Sequence, residues 1–236
     1  MRSRYSERAP FGYTLLSQGM RRVTIGLASL GAICVVAPII FIVAIAADAG
    51  TDARSFRNVS QSMEPALLAG ELFTVRPVPS QSLSQIRRGI LVAHRFPSDP
   101  DKEFVKRLTG LPGDTLEMVS GMFRVNGHPL AEPYAWHADT ASDPTWDEFK
   151  WQRSYLAGPV MRDSVHYRPS RDNWGPIVVP MGKYFVLGDN RDNSLDSRYW
   201  GFLKPADLVG WPRRVYFSRD PKTGRLRWGR IGHRLD

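Results

Sequence analysis

The chain has 236 residues, 42% hydrophobic and 23% charged, which excludes a mostly disordered polypeptide and allows one sizeable domain with a small appendage. Its net charge of +9 fits either a nucleic-acid binder or a protein working beside anionic lipid. A single cysteine, Cys34, excludes an intrachain disulfide and a cysteine-based metal site. The histidines (His94, His128, His137, His166 and His233) are scattered without helical ligand spacing, so neither a metal nor another cofactor is expected.

Residues 23–47 form an uncharged apolar run, about 37 Å long as a helix and so long enough to span a hydrocarbon core of about 30 Å. It exceeds the roughly 7–15 residues of a signal-peptide apolar region, which favours an anchor over a cleaved signal despite the small-residue segment Ala44-Ile45-Ala46. Arg2, Arg4, Arg8, Arg21 and Arg22 precede it, and Asp48 and Asp52 follow it. This asymmetry predicts a cytoplasmic segment 1–22, a transmembrane helix 23–47, a polar linker 48–55 and an extracytoplasmic domain 56–236.

From Phe56 onward the texture is that of short strands: 71–76, 89–95, 103–109, 115–119, 122–125, 183–187 and 209–218. Runs of β-branched and aromatic residues punctuated by Gly and Pro predict a mainly β fold with an all-β core, a barrel or a sandwich. Residues 129–180 differ, being charged and irregular. Trp136, Trp146, Trp151 and Trp174 argue that they are folded, as an inserted cap subdomain.

Three segments carry candidate chemistry. In VSQSMEPALLAGELFTV, Ser62 precedes Met63-Glu64-Pro65; in EFVKRLTGLPGD, Lys106 shares one strand face with Phe104 and Leu108. A lysine desolvated on such a face loses its proton more readily, as a general base near neutral pH requires. The third segment, KYFVLGDNRDNSLDSRYWGFL, spans residues 183–203.

In this order, after an apolar N-terminal run, SMEP, KRLTGLPGD and GDNRDNSLDSRYWG resemble bacterial signal peptidase I, a family of Ser–Lys serine endopeptidases. The resemblance covers about 56–115 and 174–210, and the basic RLRWGRIG is also family-like. It implies Ser62 as nucleophile and Lys106 as general base. It further implies Ser60 as an oxyanion donor beside the Ser62 N–H, Ser194 as the hydroxyl that orients the lysine, and Asp196–Arg198 as an ion pair beneath them. Phe56, Met63, Leu67, Phe104 and Val105 match positions lining the subsites for small residues before the cut. Ala66 and Glu71 depart from the family pattern at positions to which it assigns no chemistry.

The implied substrates are preproteins bearing signal peptides cleaved after Ala-x-Ala-type sites. The implied setting is the bacterial cytoplasmic membrane, near the protein-export machinery and in contact with phospholipid. A specialised Ser–Lys processing peptidase of the conjugation-pilus type is the alternative on the same scaffold. A self-cleaving repressor would need a DNA-binding helix-turn-helix where this chain has its apolar run. The basic residues Arg213, Arg214, Arg219, Lys222, Arg225, Arg227, Arg230 and Arg234 carry no nucleic-acid signature, so anionic headgroups rather than nucleic acid are the expected partner.

Overall fold

The computed structural model describes residues 52–78, 86–139 and 142–235, together with Ile40. The chain divides into Met1–Ala47 and Asp48–Asp236, and every element below belongs to the second unit. The apolar run 23–47, apart from Ile40, lies outside the described residues. No helix among the described residues is long and apolar enough to cross a membrane.

Two antiparallel sheets account for the strands. The larger has the order β1-β2-β10-β3-β4-β9, built from β1 (Arg54–Arg57), β2 (Glu71–Pro77), β3 (Leu91–Phe96), β4 (Asp99–Gly110), β9 (Phe185–Leu187) and β10 (Leu208–Ser218). The smaller has the order β7-β6-β5-β8, from β5 (Thr115–Val119), β6 (Met122–Val125), β7 (His128–Pro129) and β8 (Trp174–Val178). The mainly β reading of the sequence therefore holds. One boundary needs correction: Arg54 and Ser55, read as linker, pair with Val75 and Thr74, so β1 starts inside that segment.

Alternation decides which side chains face inward. Along β2, Glu71, Phe73 and Val75 are buried while Leu72 and Thr74 are half-buried, the period of two that a sheet with one covered face demands. Phe73 and Val75 join Met63, Leu67, Leu91, Ala93 and Val215 in one core cluster. A second cluster joins the sheets, with Phe185 and Leu187 of β9 packed among Leu116, Met118, Phe123, Trp174 and Ile177. Gly110 makes that junction possible, since a Cβ there would stand 2.6 Å from Leu116 Cδ1 and 2.7 Å from Phe185 Cβ.

Segment 129–180 is not an independent body, because its two ends, Pro129 and β8, are built into the smaller sheet. Between them, 3-10 turns at Asp147–Tyr155 and Gly158–Asp163 lead back to β8. The first of these packs on the helical turn Ser197–Trp200. Trp151 Nε1 donates to the Arg198 carbonyl at 3.0 Å, and the rings of Phe149 and Tyr199 lie 4.9 Å apart. The insertion thus braces the back of the loop carrying residues 188–198.

Candidate active site

Ser62 lies in the turn between β1 and β2, and its neighbours hold it from below. Met63 and Leu67 are sunk in the core, and the Leu67 N–H donates to the Met63 carbonyl at 2.9 Å. Asn58 ties the same turn together, its Nδ2 donating to the carbonyls of Ser60 (2.9 Å) and Leu67 (3.2 Å). From the other side, the Asn190 N–H donates to the Ser62 carbonyl at 3.1 Å. That approach depends on Gly188, where a Cβ would stand 2.5 Å from the Ser62 carbonyl oxygen and 2.4 Å from Ser194 Cβ.

Lys106 reaches Ser62 from β4. Its Nζ lies 2.6 Å from Ser62 Oγ, and both side chains are buried. Burial lowers the ammonium pKa from 10.5 to about 8; the Arg198 charge adds to the fall, while Asp196 and Asp189 oppose it. A lysine held in this way is a base available near neutral pH, in contact with a hydroxyl that needs one.

Beneath the pair, Asp196 and Arg198 are fully buried and bound fork to fork, Nε to Oδ1 and Nη2 to Oδ2 at 2.9 Å each. Asp196 also accepts the Gly188 N–H at 3.0 Å. Burial pushes the Asp196 carboxyl up, but Arg198 and these hydrogen bonds outweigh it and leave it below the usual carboxylate range. A second pair stands beside Lys106: Arg107 grips Asp189 at 2.7 and 2.6 Å and lies over the Tyr134 ring at 3.9 Å.

From Ser62 and Lys106 a cleft of about 310 Å³ runs between β1 and β4, lined by Phe56, Val59, Phe104, Val105, Asn193 and Leu195 among others. A buried hydroxyl–amine pair at the end of an apolar-walled groove is the arrangement of a Ser–Lys hydrolase. The family model for signal peptidase, peptidase S26, matches residues 28–217. The chain belongs to this family.

Signal peptidase I of Pseudomonas fluorescens is 32% identical over 201 residues, covering 75% of this chain and 70% of that one. Signal peptidase I of Aquifex aeolicus is 30% identical over 200 residues, covering 70% and 76%. A signal peptidase I of Bacillus amyloliquefaciens is 38% identical over 159 residues, covering 66% and 69%. As a family S26 hydrolase, the chain carries a Ser62–Lys106 contact consistent with a serine peptidase.

Other expectations change on contact with the structure. Ser60 Oγ accepts the Ser62 N–H at 3.1 Å, so the two groups expected to converge on a substrate oxygen here bind each other. Ser194 makes no hydrogen bond to Lys106: its Oγ is buried without a hydrogen-bond partner, packed in the space that Gly188 leaves open. Phe56, Phe104 and Val105 line the cleft as expected. Met63 and Leu67 lie under it in the core, because both side chains point inward from the Ser62 turn. Glu71, discounted from the sequence, is fully buried and binds Arg230 at 2.7 and 3.0 Å.

Asn58, Gly188 and Asn190 are site residues that the sequence reading missed. The glycine and Asn190 stand inside the GDNRDNS string, and that was their available signal. As for metals, His137, Asp172 and Asp192 bring ligand atoms within 4.8 Å of one another. The Arg171 guanidinium is already paired with both carboxylates, at 2.8 and 3.3 Å.

Proposed function

We propose that this chain is a membrane-anchored serine endopeptidase that removes signal peptides from exported preproteins after Ala-x-Ala-type sites. The observation that carries this reading is the 2.6 Å contact between Lys106 Nζ and Ser62 Oγ, with the amine lowered to about pKa 8. Neutral Lys106 takes the Ser62 proton as Oγ attacks the carbonyl carbon of the scissile bond. The substrate oxygen displaces Ser60 Oγ as acceptor of the Ser62 N–H, and the freed Ser60 hydroxyl turns to donate to the same oxygen. Such a pair of donors stabilises the tetrahedral intermediate by about 3 kcal/mol each. Protonated Lys106 then returns its proton to the leaving amine, and a water activated by the same lysine hydrolyses the acyl-enzyme.

Specificity follows from the walls. An extended segment lying between β1 and β4 places alternate side chains against Phe56, Phe104 and Val105. Shallow apolar walls admit Ala or Gly at the first and third positions before the cut and exclude larger groups by overpacking. Residues 23–47 serve as the anchor, with the catalytic unit on the extracytoplasmic side as the arginine-rich N-terminal flank requires.

The test is to incubate the purified protein with an Ala-x-Ala preprotein and sequence the new N-terminus. Cutting directly after the second alanine, lost in both Ser62→Ala and Lys106→Ala, supports the reading. Cutting that survives either substitution overturns it.

A further inference from the structure

In the larger sheet β1 and β4 are separated by β2, β10 and β3. Their side chains nonetheless meet. Arg54 Nη1 and Nη2 each lie 3.1 Å from an oxygen of Glu103, a fork-to-fork pair linking strands that share no backbone hydrogen bond. The sheet therefore curls until its first and fifth strands confront one another, and the cleft occupies the gap. Among the described residues each strand has an open edge there: β1 pairs only with β2, and β4 joins β9 only from Arg107 onward.

We propose that Arg54 and Glu103 form the upstream end of the substrate cleft and set charge preference at the fourth and fifth residues before the cut. This rests on the reading of Ser62 and Lys106 as the catalytic pair. Strand β4 and an extended peptide beside it advance equally, about 3.3 Å per residue. With the residue before the cut beside Lys106, Glu103 lies three positions back, beside the fourth residue and its upstream neighbour. Arg54 stands opposite, its guanidinium 5.0 Å from the centre of the Phe56 ring that lines the cleft.

The pair is not a strut of the fold. Arg54 is 54% exposed and Glu103 23%, and a solvated ion pair of this kind contributes at most about 1 kcal/mol. β1 is already held by its register with β2, from Arg54↔Val75 to Arg57↔Leu72. What the pair does is cancel two charges at the mouth of an apolar groove. While both are present, their own charges cancel at the peptide and either sign is tolerated; Arg57, which also lines the cleft, is common to every variant below. Removing one partner leaves a bare charge facing the peptide.

The experiment uses the full chain and peptides with Ala at the first and third positions before the cut, carrying Lys, Asn or Asp at the fourth and fifth. The wild type should cut all of them at rates within about threefold. Arg54→Ala should favour Lys over Asp by about tenfold in kcat/KM, and Glu103→Ala should favour Asp over Lys by a similar factor, the size expected of a single partly screened charge contact. The exchanged pair Arg54→Glu with Glu103→Arg should restore the wild-type tolerance. If both single variants keep the wild-type ranking, the proposal is overturned. If the wild type fails to cut after the second alanine, or Ser62→Ala still cuts, the underlying reading falls and this proposal with it.

Discussion

Lys106 shows how surroundings loosen the proton of an amine. On a solvated strand edge its amine would stay protonated at neutral pH; inside the sheet it is lowered to about 8, mainly because burial strips the ammonium of water. Only the neutral amine can accept the Ser62 proton. Activity therefore rises with pH through about 8, and kcat/KM at pH 7 lies about tenfold below its plateau. Asp196 opposes this lowering. Asp196→Asn removes that opposition and leaves the Arg198 charge uncompensated, and both effects favour the neutral amine. The pH–rate profile of Asp196→Asn is expected to move toward lower pH, even as the variant loses stability from an unpaired buried guanidinium. A profile displaced upward would contradict the electrostatic account.

At the scale of elements, the C-terminal segment is an internal tie. Arg230 binds Glu71 at the start of β2 and donates to the Ala66 carbonyl at 2.8 Å, inside the turn that carries Ser62. Arg227 bridges to the Ala69 carbonyl and Asp220, and Arg219 to the Gly224 carbonyl. These three arginines of the basic run expected to face headgroups are thus engaged within the domain. Arg230→Ala leaves Glu71 buried with only Ser218 Oγ and the Leu68 N–H to satisfy it. The cost is about 3 kcal/mol, the scale of removing one partner from a buried pair. A urea midpoint unchanged from wild type would show that Glu71 finds another partner.

Across the whole domain, part of the acid limb of stability is expected to come from a residue remote from any sequence motif. His94 sits on β3 among Phe104 and Trp200, with ring centroids 6.2 and 5.5 Å away. Burial lowers its pKa from 6.5 to about 4, against the pull of the Arg95 carbonyl that its Nδ1 contacts. Above pH 6.5 the imidazole is neutral in both the folded and unfolded chain, and this group costs the fold nothing. As pH falls from 6.5 to about 4, the unfolded chain takes up a proton that the folded domain refuses, and stability is lost. The full effect is about 3 kcal/mol, with no further loss from this group below pH 4. His94→Phe is expected to flatten stability between pH 4 and 6.5, measured as the difference in urea midpoints. An equally steep decline in the variant would assign acid sensitivity to the carboxylates instead.

The sequence by itself determined the β character and singled out Ser62 and Lys106, the two side chains that the structure brings into contact. Strand runs such as 115–119 and 122–125 reappear at the same bounds because alternation and flanking turn residues are local properties. Ser62 and Lys106 were legible because they stand in motifs long enough to be distinctive. Tertiary structure decided whatever depends on which distant groups share a space. Ser194 was expected on the lysine and packs against Gly188 instead. Met63 and Leu67 were expected in the cleft, and lie in the core because the Ser62 turn aims them inward. Glu71 could be given no role until Arg230, 159 positions away along the chain, was found beside it. Arg54 meets Glu103 only because the sheet curls. A residue's local periodicity fixes its face, but its partner there is chosen by strand order and curvature, which no short window of sequence encodes.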